Sequence, residues 1–287
     1  MMGQAGVVGV GGIGGGVAER LRDLGWKLAL WNRSAPPLER FADQADITIA
    51  SSPAETTAAG LVISFVANDA ALEAVTNGED GILSGLPEDG VHISMSSVSP
   101  TLTARLAESH RGRLVAAPVF GRPEAAAKGL LWIAVAGPEA AVTKALPLLE
   151  AVSRSIDRFG EAPETALKVK LAGNFLIASA IEAMSEAFAV LEASGADPRA
   201  FHEMMSESIF GSVIHQSYGR IILDEAFTPP GFKLALGGKD VGLALDMANN
   251  VGRSMPFGEI LRKRFQAAVE AGHGEEDWNA ISRLVRS

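Results

Sequence analysis

The stretch Ala5–Ser34, AGVVGVGGIGGGVAERLRDLGWKLALWNRS, decides how the rest of the chain is read. An apolar run, Val7–Val10, meets a cluster of glycines and then an amphipathic segment, Gly14–Asp23. A second apolar run, Lys27–Trp31, follows. Gly9, Gly11 and Gly14 fit G-x-G-x-x-G. In a chain with 31 glycines that spacing alone is weak, and its placement between a strand and a helix gives it weight. The first glycine permits a tight turn, the second lets backbone approach a pyrophosphate, and the third lets helix pack on strand. The helix N-terminus, here Gly11, Gly12, Ile13 and Gly14, then offers free N–H groups to phosphate. The plain alternative is an ordinary strand-to-helix turn.

WNRS, Trp31–Ser34, closes the unit where a dinucleotide-binding chain usually places an acid. An acid accepts hydrogen bonds from the ribose 2′-hydroxyl of NAD but repels the 2′-phosphate of NADP. Arg33 supplies a fixed planar cation instead, and Asn32 and Ser34 add neutral donors. The reading is NADP(H), against a solvated arginine in a Ser/Pro-rich turn.

The chain has 287 residues, 47% of them hydrophobic and 21% charged, enough for two packed domains and unlike a disordered segment. Its net charge of −9 argues against nucleic acid as a general partner. The lack of cysteine removes disulfides, thiolate nucleophiles and Cys-based zinc sites, and with five scattered histidines no structural metal is expected. The opening MMGQAGVVGV has no basic region and reads as no signal peptide. The most apolar segment, Leu171–Gly195, carries Asn174, Glu182, Glu186 and Glu192, so no membrane span is expected and the chain is expected to be cytoplasmic.

Further apolar runs at Leu61–Val66, Val91–Met95, Leu114–Ala117 and Trp132–Ala136 read as strands. The helical patterns Ala70–Thr76 and Pro100–Ser109 lie between them. Such alternation predicts a parallel sheet covered on both faces. Beyond Pro163 the patterns are helical only: Glu164–Gly195, Pro198–Ser206, Gly211–Asp224, Lys239–Val251 and Phe257–Ala271. The expected organisation is therefore an α/β domain at 1–163 and an all-α domain at 164–287.

Within the long helix, Lys170 and Asn174 are spaced i, i+4 and share one face. The surrounding turns are apolar nearly all round, which implies a largely buried helix and a lysine in need of partners. An exposed lysine near a helix start is the equal alternative. Lys168 reads as a solvated one.

The whole chain resembles the β-hydroxyacid dehydrogenase family, which includes 3-hydroxyisobutyrate dehydrogenases, tartronate semialdehyde reductases and glyoxylate/succinic semialdehyde reductases. The resemblance rests on five motifs in family order. They are GVGGIGGGVAERL, SMSSVSPTLT (Ser94–Thr103), APVFGRPEAAAKGLLWIAVAG (Ala117–Gly137), KLAGN (Lys170–Asn174) and GGKDVGLALDMA (Gly237–Ala248). It implies an N-terminal Rossmann domain with a mostly parallel sheet, joined by a long helix to an all-α domain, in a homodimer or homotetramer. It also implies hydride transfer between NADP(H) and a small carbonyl or hydroxyl substrate.

By the same resemblance Lys170 is the acid/base and Asn174 its partner. Ser96 and Lys239 are assigned to the cofactor, as are Val66, Ala67 and Asn68. Ser96, Ser97, Phe120, Gly121, Arg122, Phe232 and Asp240 are assigned to the substrate. Plainer readings stand beside several of these. Ser96 and Ser97 fit caps for the helix at Pro100, Asp240 fits a dipole partner at the start of a helix opening at Lys239, and Phe232 fits a core residue. APVFGR departs from the usual A-P-V-S-G-G, putting Phe120 in place of a substrate-bonding serine and Arg122 in place of a glycine. Glu164 and Ala166 stand where relatives have glycines. These changes leave cofactor binding intact and put the usual hydroxyacid substrate in question, with a larger or less polar carbonyl as the alternative. An imine reductase and a non-catalytic cofactor-binding scaffold are the rival readings, and Lys170 with Asn174 counts against both.

Overall fold

The computed structural model describes residues 3–286, and the chain divides into two compact units, Met1–Lys170 and Leu171–Ser287. The division falls inside one long helix, a few residues past the 163/164 boundary expected from the change of pattern.

The first unit opens with β1 (Gln4–Val8), α1 (Gly12–Asp23), β2 (Lys27–Trp31), α2 (Pro36–Glu39) and β3 (Ile47–Ile49). It continues through β4 (Leu61–Ser64), α3 (Asp69–Asn77), α4 (Ile82–Gly85), β5 (Val91–Ser94), α5 (Pro100–His110) and β6 (Leu114–Ala116). These six strands form one sheet in the order β3-β2-β1-β4-β5-β6, every neighbouring pair parallel. The order reverses between β1 and β4, and ligands of open parallel sheets bind at such a switch point, beyond the strand C-termini. The strands other than β3 read as apolar runs because both faces are covered; β3, at the sheet edge with Thr48 and Ile49 exposed, is not among the expected strands. Val7, Leu30, Ile63, Ile93 and Val115 have no exposed surface.

A second, three-stranded sheet follows. It is built from β7 (Val119–Phe120), β8 (Leu131–Val135) and β9 (Ser153–Arg158), with α6 (Pro123–Ala127) and α7 (Glu139–Val152) as connections. Of this sheet the sequence reading contained only the β8 segment. Phe120 pairs with Trp132 across the antiparallel β7–β8 ladder. Gly121 then holds φ of +150°, where an added Cβ would lie 2.7 Å from Leu131. The ring of Phe120 is thus fixed by a strand, not carried on a free loop.

Helix α8 (Glu164–Ser194) runs for 31 residues. By length and composition alone it is apolar enough to cross a membrane, with 33% of that window buried. The same test is passed by core helices of soluble proteins.

In the second unit the remainder of α8 is joined by α9 (Pro198–Glu207), α10 (Val213–Leu223), α11 (Leu234–Asn250), α12 (Pro256–Glu270) and the short α13 (Arg283–Arg286). No strand occurs there among the described residues. Its core gathers Phe188, Phe227, Leu261, Phe265 and Trp278, all nearly or fully buried. Glu182, 1% exposed, pairs at 2.5 Å with Nε of Arg264, which fastens α8 to α12. Burial pushes the Glu182 carboxyl up, and the guanidinium beside it pulls the other way.

Candidate active site

The glycine loop sits at the C-terminal end of β1. Gly9 holds φ of +92°, and a Cβ on it would lie 2.0 Å from the Phe65 carbonyl oxygen. A Cβ on Gly14 would in turn lie 2.0 Å from the carbonyl oxygen of Gly9. Only glycine serves at either position. Gly11 is the N-cap of α1 with no side-chain cap, and a Cβ built there meets nothing within 4 Å. Gly12 is exposed and Ile13 half-buried beside it. An uncapped helix N-terminus facing open space fits a pyrophosphate.

At the end of β2, Asn32 accepts a hydrogen bond from the Val10 N–H at 3.1 Å. Its amide nitrogen donates to the backbone oxygen of Ser34 at 2.9 Å and to Ser34 Oγ at 3.2 Å. Asn32 therefore ties the glycine loop to the WNRS turn, and Arg33 projects from that turn exposed. Sequence reasoning missed Arg40. Its guanidinium lies against the first turn of α1, so close that a Cβ on Gly15 would fall 1.6 Å from Nη2, and it pairs with Glu19 at 3.0 Å. The glycine run beyond G-x-G-x-x-G was the available signal.

Ser96, 3% exposed, links the ends of two strands. Its Oγ accepts the Val66 N–H at 2.9 Å and donates to the Ser64 carbonyl at 3.3 Å. Ser97 is half-buried beside it. Neither caps α5; Ser99 does, accepting the Leu102 N–H at 3.0 Å. Pro100 at the first helical position needs no acceptor, so the cap falls on the residue just before it. Ala67 and Asn68 are exposed beyond β4, and the Asn68 side chain caps α3 through the Ala71 N–H at 2.9 Å.

Lys170 is 7% exposed, so the equal alternative of a solvated lysine is set aside, whereas Lys168 is exposed and pairs with Glu164 at 3.7 Å. Nζ of Lys170 stands 4.1 Å from the centroid of the Phe120 ring. Arg122, half-buried, is the N-cap residue of α6, and Pro123 after it packs beside Gly12.

In the second unit Asn174 is 3% exposed and donates from Nδ2 to Oδ2 of Asp240 at 2.6 Å. Asp240 has no exposed surface, and its other oxygen meets Nζ of Lys239 at 3.1 Å. Helix α11 opens at Leu234, six residues before Asp240, so the expected helix start at Lys239 is corrected and Asp240 is no first-turn dipole partner. Leu236 and Gly237 N–H already bond the Lys233 carbonyl, which starts the helix early. Phe232 is half-buried, its ring edge-on to Trp278 at 4.9 Å. Its loop is pinned by Asp277, which accepts the N–H of Gly231 at 2.9 Å and of Phe232 at 3.3 Å.

No group of three metal-ligating side chains occurs among the described residues. The first unit offers phosphate-binding backbone and a buried ammonium, and the second unit, taken by itself, a carboxylate-oriented amide.

Two family models match the chain. The NAD binding domain of 6-phosphogluconate dehydrogenase covers residues 4–160. The NAD-binding domain of NADP-dependent 3-hydroxyisobutyrate dehydrogenase covers residues 165–285. An uncharacterised oxidoreductase of Bacillus subtilis is 38% identical, over 98% of this chain and 99% of its own. L-threonate dehydrogenase of Cupriavidus necator is 30% identical, over 97% of this chain and 95% of its own. The crystal structure of a 3-hydroxyisobutyrate dehydrogenase from Salmonella typhimurium superposes with a TM-score of 0.87 at 24% identity, over 98% and 99% of the two chains. The chain is an NAD(P)-dependent oxidoreductase acting on hydroxyl or carbonyl groups, and it belongs to the β-hydroxyacid dehydrogenase family.

Proposed function

We propose that the protein is an NADP(H)-dependent dehydrogenase or reductase of a small hydroxyacid or semialdehyde, with Lys170 as its acid/base. The observation that carries the reading is the burial of Lys170. A lysine is seldom 7% exposed, and this one lies in the unit that carries the glycine loop. The open N-terminus of α1 supports a dinucleotide. Arg33 with Asn32, in place of an acid at the end of β2, supports the 2′-phosphate.

Bound nicotinamide supplies the hydride chemistry. In reduction, as the carbonyl carbon gains hydride, its oxygen takes a proton from the Lys170 ammonium. The amine left behind is reprotonated from water, and oxidation runs the same proton in reverse. Asp240 fixes the rotamer of Asn174 through its carboxylate, which makes it a positioning residue, and Lys239 balances its charge. Ser96, bonded to Val66 and Ser64, ties the ends of β4 and β5 together.

The substrate class follows from two lines of support. Relatives are named for L-threonate, 3-sulfolactaldehyde and 2-hydroxy-3-oxopropionate, each a small molecule with an anionic group near a hydroxyl or carbonyl. Arg122 offers a guanidinium that can hold such a carboxylate or sulfonate by two parallel hydrogen bonds. Phe120, two residues earlier, offers an apolar ring to the substrate in this reading. The soluble, cytoplasmic, oligomeric enzyme expected from the sequence remains part of this reading.

The test is NADPH oxidation against glyoxylate, semialdehydes, sulfonated aldehydes, ketones and cyclic imines, with Lys170→Met as the partner experiment. Lys170→Met should lower kcat by ~10² or more while leaving NADPH affinity unchanged. Turnover within several-fold of wild type would remove Lys170 from the mechanism.

A further inference from the structure

Phe120 lies against the one group that the proposed mechanism needs charged. Nζ of Lys170 sits 4.1 Å from its ring centroid, well within the reach of a cation over an aromatic face. Both residues belong to the first unit, and both are held from behind. Lys170 is carried on α8, and Phe120 is paired to Trp132 on β8 and followed by a glycine in a backbone conformation reserved for glycine. Burial opposes the charged form of an amine, because water no longer solvates it. The negative face of an aromatic ring acts the other way, stabilising ammonium and giving nothing comparable to a neutral amine. A serine at this position has no such face.

We infer that Phe120 is a positioning residue acting through Lys170: its ring keeps the buried lysine protonated and aimed, so that reduction persists to higher pH and oxidation needs it. This rests on Lys170 being the acid/base. The balance is simple. The proton that reaches the substrate oxygen in reduction leaves Nζ, and the ring favours the state before that transfer. The same preference raises the pH at which free amine becomes available to take a hydroxyl proton.

The experiment compares wild type, Phe120→Leu and Phe120→Tyr, with cofactor saturating, over pH 6 to 11. Phe120→Leu keeps apolar bulk and removes the ring. The alkaline limb of reductive kcat/KM and the acid limb of oxidative kcat/KM should both move down by about one pH unit. Phe120→Tyr retains the face and should leave both limbs in place. A second readout uses no cofactor or substrate: the titration of Lys170 followed by NMR on the protein with ¹³C-labelled lysine, assigned by its loss in Lys170→Met. It should show the same displacement.

Should Phe120→Leu not fold, pentafluorophenylalanine at 120 preserves shape, inverts the ring's electrostatics and must give the same shift. Limbs that stay put in whichever of these two folds, while Lys170→Met is inactive, overturn the inference and leave the acid/base assignment standing. Full activity of Lys170→Met overturns the assignment itself.

Discussion

Acid should unlock the first unit through two histidines buried inside it. His92 on β5 and His110 at the end of α5 have no exposed surface. His110 Nδ1 lies 2.6 Å from the Leu106 carbonyl, His110 Nε2 lies 2.9 Å from His92 Nδ1, and His92 Nε2 lies 2.8 Å from Ser64 Oγ. A carbonyl can only accept, so His110 carries its proton on Nδ1. His92 must then donate from Nδ1, and Ser64 donates to His92 Nε2. A second proton on His110 meets the His92 N–H head on. One on His92 reverses Ser64 and leaves a charge shut away from water. Burial pushes His110 down to about 4, the Leu106 carbonyl opposing and Arg113 assisting. Burial, then His110, lowers His92 in the same sense.

In the unfolded chain each histidine binds a proton near pH 6.5, and in the folded chain neither does. Stability is therefore full above 6.5 and is lost as pH falls toward 4. The slope is ~1.4 kcal/mol per pH unit for each histidine, so His110 alone removes roughly 3 kcal/mol. The assay is urea unfolding at pH 7.5 and 4.5 for wild type and for the double variant His92→Gln/His110→Gln. The variant should be less stable at pH 7.5 and lose about 5 kcal/mol less on acidification, the slope of two histidines over the two units below 6.5. A pH dependence equal in the two proteins would refute the assignment of the acid loss to this pair.

Two further outcomes test the cofactor and substrate readings. Wild type should prefer NADPH to NADH, and Arg33→Ala should reduce that preference about tenfold to a hundredfold, the scale of one lost contact to a charged group. Isothermal titration with 2′,5′-ADP and 5′-AMP reads this directly, and an unaltered ratio would return Arg33 to a solvated turn. Arg122→Ala should raise KM for carboxylate or sulfonate substrates by at least tenfold, with little effect on uncharged aldehydes. An equal loss on both classes would mark Arg122 as a packing residue.

Five strands of the parallel sheet were legible because they read as apolar runs; β3 was not, being an edge strand with Thr48 and Ile49 exposed. What escaped did so for physical reasons. β9, SRSIDR, is an edge strand whose side chains are all at least partly exposed, so its composition is that of a loop. α7 carries Pro147 in its interior, a residue that argues against a helix on propensity alone. The bond from Asn174 to Asp240 spans 66 residues, beyond any periodicity. The i, i+4 spacing singled out Asn174 beside Lys170, and the motif resemblance alone added Asp240. The His92–His110 contact gave no signal either, since VHIS is simply a buried strand until α5 returns beside it.

Position 32 is an amide because two loops make opposite demands on it. A carboxylate there would accept the Val10 N–H as Asn32 does, but it has no proton to donate to Ser34. The amide satisfies both loops at once, so the structural task of the β2 terminus is completed without charge. With no anion at 32, a phosphate brought to this corner meets the exposed guanidinium of Arg33 and no opposing carboxylate from the residue that would ordinarily supply one. A substitution Asn32→Asp therefore separates the two tasks. It keeps the Val10 tether, loses the Ser34 tether, and sets a negative charge against the 2′-phosphate. Selectivity should move toward NADH by more than the Ser34 bond alone explains, because loop anchoring affects both cofactors and repulsion only one.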